Sequence, residues 1–154
     1  MSQFQSSQPR RPHMLRDVHV LAVVVGAVLT GVGLWYALPH GFAADIVASP
    51  LLLVNVLLLY PLVEELLFRG VIQRALLNRP SLVINDFGIS RANLITSILF
   101  VGLHLVNQSP AWALAILVPS LTLGHIYERY QRLPAPIFLH IIFNATYLVA
   151  GTLS

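Results

Sequence analysis

From residue 18 to residue 38 the chain passes through 21 positions without an Asp, Glu, Lys or Arg. A helix of that length, at ~1.5 Å per residue, crosses a hydrocarbon core of ~30 Å. In lipid every backbone N–H and C=O must be paired internally, which leaves helices or closed barrels, and unbroken apolar runs select helices. A second apolar stretch begins at Pro50 and reaches Glu64 and Glu65, and others follow at 93–106, 111–127 and 135–153. Turn residues separate them: Asn107, Ser109 and Pro110, then Pro134 and Pro136. The expectation is an all-α, polytopic transmembrane bundle of about five spans. Composition agrees, since 10% of residues are charged where a soluble domain has about a quarter.

The chain of 154 residues has room for one such bundle and none for a separate soluble domain. Residues 1–17, rich in Ser, Gln, Pro and Arg, read as a flexible basic tail, and 18–154 as a single membrane domain. A cleavable signal peptide is the rival for 18–38, but the run exceeds the ~7–15 residues of a signal's apolar region. Past Glu65, residues Arg69, Gln73, Arg74 and Asn78 form a polar stripe at helical spacing, as if the helix leaves the membrane there. The chain has no cysteine, which excludes disulfides, thiolate zinc sites and a cysteine nucleophile.

The nine basic residues are all arginines. Arg10, Arg11 and Arg16 precede the first span; Arg69, Arg74, Arg79 and Arg91 lie between the second and third; Arg129 and Arg132 lie between the fourth and fifth. The opposite connections, 39–49 and 107–110, contain none. That asymmetry is topology signal rather than a nucleic-acid patch, and it places the N-terminus in the cytoplasm and the C-terminus outside, in a cell (bacterial inner) membrane.

Ionisable groups inside a membrane are disfavoured by about 2.5–3.5 kcal/mol each on insertion scales, so each is a functional candidate. Here they are Glu64 and Glu65 in span two, His104 in span three, His125 in span four, and His140 with the amide Asn144 in span five. At about 100° per residue Arg69 shares a face with Glu65 and not with Glu64, so it can pair the former and leave the latter free. His140 and Asn144, four apart, share a face. Phe100 lies one turn before His104, and Pro61 should loosen the helix just before the glutamates. Two adjacent carboxylates beside a cation can hold one charge as a base, and donors nearby can serve an oxyanion.

The strings EELLFR (64–69), FVGLH (100–104) and HIIFN (140–144) resemble, in order, the motifs E-E-x-x-x-R, F-x-x-x-H and H-x-x-x-N of the CPBP family of CAAX proteases and bacteriocin-processing enzymes. The resemblance covers roughly 50–150. It implies an intramembrane glutamic endopeptidase without a metal cofactor. Glu64 and His104 would activate a water, His140 and Asn144 would form the oxyanion hole, and Glu65 with Arg69 would position and tune the site. The implied substrate is a membrane-associated protein or peptide. Many family members carry more helices, which leaves room for a second copy or an additional membrane partner to help close the chamber.

Simpler readings stand beside this one. Glu64, Glu65 and Arg69 could be an interfacial salt-bridged helix end, His104 a core imidazole, and His140 with Asn144 interhelical glue. His125 fits no motif and reads as a helix cap or a partner of Glu128; Asn55 reads as glue. Trp35, Tyr36, Trp112 and Tyr130 read as interface anchors. Two rival functions remain: a zinc protease with Glu64, His104 and His140 as ligands and Glu65 as base, which lacks an H-E-x-x-H, and a non-catalytic immunity or scaffold protein.

Overall fold

The structure is a computed structural model that describes residues 17–37, 43–86 and 88–152. The tail 1–16 with its three arginines and His13, the connection 38–42 with His40, and the side chains of His19 and Trp35 lie outside the described residues. The described chain is helical apart from one two-stranded hairpin. Its helices are α1 (Val18–Ala37), α2 (Ala43–Ala48), α3 (Pro50–Leu77), α4 (Arg91–His104), α5 (Pro110–Tyr130, broken for one residue at Ile116) and α6 (Pro134–Thr152). The hairpin pairs Asn85–Asp86 with Ile89–Ser90, and Gly88 takes φ 84°, a conformation open to glycine.

Local chemistry explains where these helices start. Ser49, Ser90 and Ser109 are N-caps whose hydroxyls accept from Leu52, Asn93 and Trp112 N–H. Pro50 and Pro110 follow two of these caps, at positions where the missing N–H has no intrahelical partner to lose. α5 ends at Gln131, φ 52°, a left-handed C-terminal turn.

Three helices, Pro50–Leu77, Pro110–Tyr130 and Pro134–Gly151, are long and apolar enough to cross a membrane, and Val20–Gly33 of α1 is a shorter apolar helix. α4, with 14 residues, is about 21 Å long at ~1.5 Å per residue, too short to span alone. The expected third span is therefore a shorter element packed between α3 and α5, with Ala92, Asn93, Thr96, Ser97, Phe100 and Val101 buried.

The bundle has two distinct ends. At one, Asp17 before α1 receives Arg129 Nε and the Tyr130 hydroxyl at 3.0 and 2.5 Å, and Val20, Leu123, Ile126, Tyr130, Ala135 and Leu139 form a core. At the other, Leu148 of α6 packs with Ile46, Leu53, Val56 and Leu57, joining α2 and the start of α3 to the end of α6. Tyr130, expected at the interface, is thus buried; Tyr36 is exposed.

The polar stripe of α3 is also corrected. Arg69 and Gln73 are fully buried while Arg74 and Asn78 are exposed, so its inner half faces the bundle rather than water. Gln73 Nε2 donates to Gly124 O and Glu128 Oε1 at 3.1 and 2.7 Å, and the Ser90 hydroxyl donates to the same Glu128 oxygen. α4 lies close on α5 because residue 124 is glycine: a Cβ there would sit 1.9 Å from Asn93 Oδ1.

Candidate active site

α3 presents the two glutamates to different surroundings. Glu65 is fully buried and Glu64 keeps 23% of its side chain exposed. One turn below Glu65, Arg69 Nε lies 3.1 Å from Glu65 Oε2, the pairing expected from the i,i+4 spacing. Its Nη2 donates to both the backbone oxygen and the hydroxyl of Ser120 on α5, at 2.9 and 3.0 Å. Nη1 is buried without a hydrogen-bond acceptor, but the guanidinium carbon lies 5.3 Å from the Phe100 ring centroid, a cation–π distance.

From Ser120 the network continues into α4. The Ser120 hydroxyl donates to Ser97 Oγ at 3.0 Å, and Ser97 donates to Asn93 Oδ1 at 3.2 Å. Asn93 Nδ2 closes on Leu121 O at 2.8 Å. Ser97 and Ser120, which the sequence reading missed, therefore hold the arginine that holds Glu65. Their one available signal was small polar residues in otherwise apolar helices, the composition of membrane helix contacts.

Glu65 in turn orients His140 of α6: Nδ1 lies 2.9 Å from Glu65 Oε1. A carboxylate only accepts, so Nδ1 carries the proton, and Nε2 is directed at Glu64 Oε2, 3.6 Å away. That is longer than a closed hydrogen bond. His140 thus stands between the two glutamates, oriented by a buried acid as in serine-protease triads.

His104, at the end of α4, bonds the Phe100 carbonyl through Nδ1 at 2.9 Å. The carbonyl can only accept, so the proton is on Nδ1 and the lone pair of the neutral ring is on Nε2. The Phe100 ring is 4.6 Å from the His104 ring and 6.0 Å from that of His140. One buried phenylalanine therefore packs between Arg69 and both histidines. Glu64 is within electrostatic reach of His140 and His104.

Asn144, one turn beyond His140, donates through Nδ2 to Val56 O at 2.8 Å. The reason lies in α3. Residues 55–59 and 66–73 are wound as π-helix, and Tyr60 N–H bonds Asn55 O. The α-register donor for Val56 O is thus engaged elsewhere, and the π-register donor would be Pro61, which has no N–H. Pro61 does loosen the helix, and the carbonyl it leaves without a partner is Val56, which Asn144 satisfies. One N–H of the Asn144 amide remains for another acceptor.

A cavity of about 790 Å³ adjoins these groups; His104, His140, Asn144 and Ser120 stand in its wall. Neither glutamate lines it, so Glu64 reaches this end by way of the histidines. Trp112, expected as an interface anchor, also lines it, edge-to-face with Tyr147 at 5.2 Å. His125 does not line it. Among the described residues no group of three or more His, Cys, Asp and Glu side chains is arranged to hold a metal ion.

Among known protein families, the description "Type II CAAX prenyl endopeptidase Rce1-like" matches residues 46–146, a stretch that contains all six motif residues and every pairing just described among them. No curated protein and no solved structure matches the chain. The match carries, in general terms, an intramembrane CAAX protease-type activity on a membrane-associated peptide, and with the apolar helices it makes this an integral membrane protein. Matched over well more than half its length, the chain belongs to the type II CAAX prenyl endopeptidase Rce1-like family.

Proposed function

We propose that the protein is a glutamic intramembrane endopeptidase in which Glu64 is the general base. The observation that carries this reading is the division of labour between adjacent acids. Glu65 is buried and committed to Arg69 and His140, while Glu64 is partly exposed and faces His140 across an unclosed 3.6 Å gap. A base must be able to reach a water and return a proton, and only Glu64 of the two is so placed.

In this mechanism a water held between Glu64 and Nε2 of His104 loses its proton as it attacks the scissile carbonyl. The negative charge that develops on the carbonyl oxygen is met by the free N–H of Asn144, fixed in direction by Val56 O, and by His140 in the form that carries a proton on Nε2 as well as on the Nδ1 that Glu65 holds. The proton on Glu64 then passes to the leaving amine. Arg69 and Glu65 touch neither water nor substrate; they keep His140 in register.

The test compares cells carrying the wild-type protein with cells carrying Glu64→Gln, which keeps shape and removes the base. One membrane-associated precursor should accumulate in the variant, and the purified wild-type protein should cleave that precursor at least ~10²-fold faster than the variant does. Equal cleavage by both would remove Glu64 from the mechanism, and a scaffold protein would cleave in neither form.

A further inference from the structure

The cavity and the exposed arginines occupy opposite ends of the bundle. Beyond His104 and His140 the cavity is walled by the second half of α1 (Gly31), the start of α3 (Leu52), Gln108 in the α4–α5 connection, Trp112 at the start of α5 and Tyr147 in the second half of α6. Tyr147 belongs to the cluster where α2, the start of α3 and the end of α6 meet, and Trp112 packs edge-to-face on it; from there the cavity reaches inward as far as Ser120 and Leu123 of α5. The exposed residues at its rim are Asn107, Gln108, Ser109 and the apolar Leu52. At the other end stand five of the six described arginines, all exposed: Arg74 and Arg79 on or just after the second half of α3, Arg91 opening α4, and Arg129 and Arg132 closing α5; the buried Arg69 lies between, bonded to Ser120 of the cavity wall. Arginine-rich ends of membrane bundles are retained in the cytoplasm.

The cavity wall has a second property. Among the described residues lining it there is no Asp, Glu, Lys or Arg; apart from the two histidines it is apolar, aromatic or neutral-polar. A charged side chain or a free carboxylate placed there meets no Asp, Glu, Lys or Arg in the wall and is disfavoured, whereas an apolar chain gains roughly 25 cal/mol per Å² of surface removed from water.

We propose that the active site is served from the extracytoplasmic face, and that its substrate is an uncharged, apolar polypeptide segment presented from that face rather than a charged chain terminus. This deepens the endopeptidase reading and rests on it for the word substrate; the side and chemistry of the cavity stand on geometry alone. Trp112 and Tyr147 form the specificity-determining pair, gripping an apolar side chain on its way to the histidines, and the rim amides of Asn107 and Gln108 admit the water that hydrolysis consumes.

The chain has no cysteine, so single-cysteine variants need no background engineering. Gln108→Cys at the rim and Arg79→Cys at the opposite end are treated in intact cells and in permeabilised cells with a membrane-impermeant maleimide. The expected result is labelling of Gln108→Cys in intact cells and of Arg79→Cys only after permeabilisation. The reverse pattern, or a Gln108→Cys that stays unlabelled even after permeabilisation, overturns the proposal. For the chemistry of the occupant, Trp35→Phe leaves Trp112 as the only tryptophan, and Glu64→Gln blocks turnover. In that doubly substituted protein the emission of Trp112 is titrated with a terminally blocked Leu/Ala peptide and with the same peptide carrying central Asp or Lys residues. The uncharged peptide should bind more tightly on the order of tenfold or more; equal or tighter binding of a charged peptide overturns the proposal. The two readings fail separately. A peptide that binds but that wild-type protein leaves whole counts against hydrolysis alone, and cytoplasmic labelling of the rim counts against the side of access alone.

Discussion

Glu64 and Glu65 share a chemistry and differ in what surrounds them, and at the scale of single residues that difference makes the predictions. Arg69→Ala would leave the fully buried Glu65 without its cation, and breaking a buried pair from one side destabilises by about 3–5 kcal/mol; thermal unfolding in detergent should show the loss, with activity falling alongside. Arg69→Lys restores the charge but not the fork that spans Glu65 and Ser120, so stability should recover further than turnover does. Full turnover with lysine would reduce Arg69 to a counter-charge. Metal dependence is decided on neighbouring atoms. If Glu64 and His104 hold the water by hydrogen bonds, purified protein should carry no stoichiometric metal and keep its activity through strong chelation; chelator-sensitive activity restored by zinc would overturn the glutamic mechanism. The Glu65–Arg69 pair was legible in the sequence because helical spacing fixes which of two adjacent acids an arginine can meet. Ser97 and Ser120 were not, because a hydroxyl in an apolar helix has the same appearance whether it bonds a neighbouring helix or its own backbone. Thr96 and Thr122 show the second case, donating to Ala92 O and Val118 O on their own helices.

Within α3, one missing N–H is linked to the end of the bundle's last helix. Pro61 leaves Val56 O to Asn144, so removing the amide with Asn144→Ala strands a carbonyl and should destabilise by about 1–3 kcal/mol. Pro61→Ala returns a backbone N–H at the π-register position. The double variant should therefore regain most of the stability lost in Asn144→Ala, while activity stays low because the oxyanion donor is still absent. Additive stability losses in this cycle would show that Asn144 and Pro61 act independently. A second element-level contact is the approach of α4 to α5, where Gly124→Ala would drive a methyl to 1.9 Å from Asn93 Oδ1. Asn93 would have to move from Leu121 O and Ser97, and because these lead to Ser120 and Arg69, the unfolding temperature and the turnover should both fall. That Pro61 disturbs the helix was legible from the residue. The π register was not, because it depends on a donor 88 positions away.

For the molecule as a whole, the sequence conveyed an all-helical membrane bundle and the order of its motifs, but not how a short chain closes its chamber. Hydropathy treats each apolar run alike, whereas the structure distinguishes them: α3, α5 and α6 are long and apolar enough to span, α4 is a shorter insert, and α1 contributes Thr30 and Gly31 to the cavity wall. α1 precedes the family-matched residues 46–146, yet Thr30 and Gly31 line the cavity, and Asp17 ties the helix to Arg129 and Tyr130 at its other end. The wall is set by close approach at Gly31, where a Cβ would meet Thr146 Cγ2 at 3.0 Å. Gly31→Leu adds a side chain where α1 meets α6, and overpacking of this kind destabilises by about 1–3 kcal/mol. If α1 is the chamber wall, that variant should also lose turnover more than it loses stability, because the displaced helix opens the cavity to lipid. Gly26→Leu on the same helix is the control: its Cβ would meet nothing within 4 Å, so it should leave both quantities near wild type. Equal behaviour of the two variants would mean that α1 only accompanies the catalytic helices and that the chamber is closed by something other than this chain's first span.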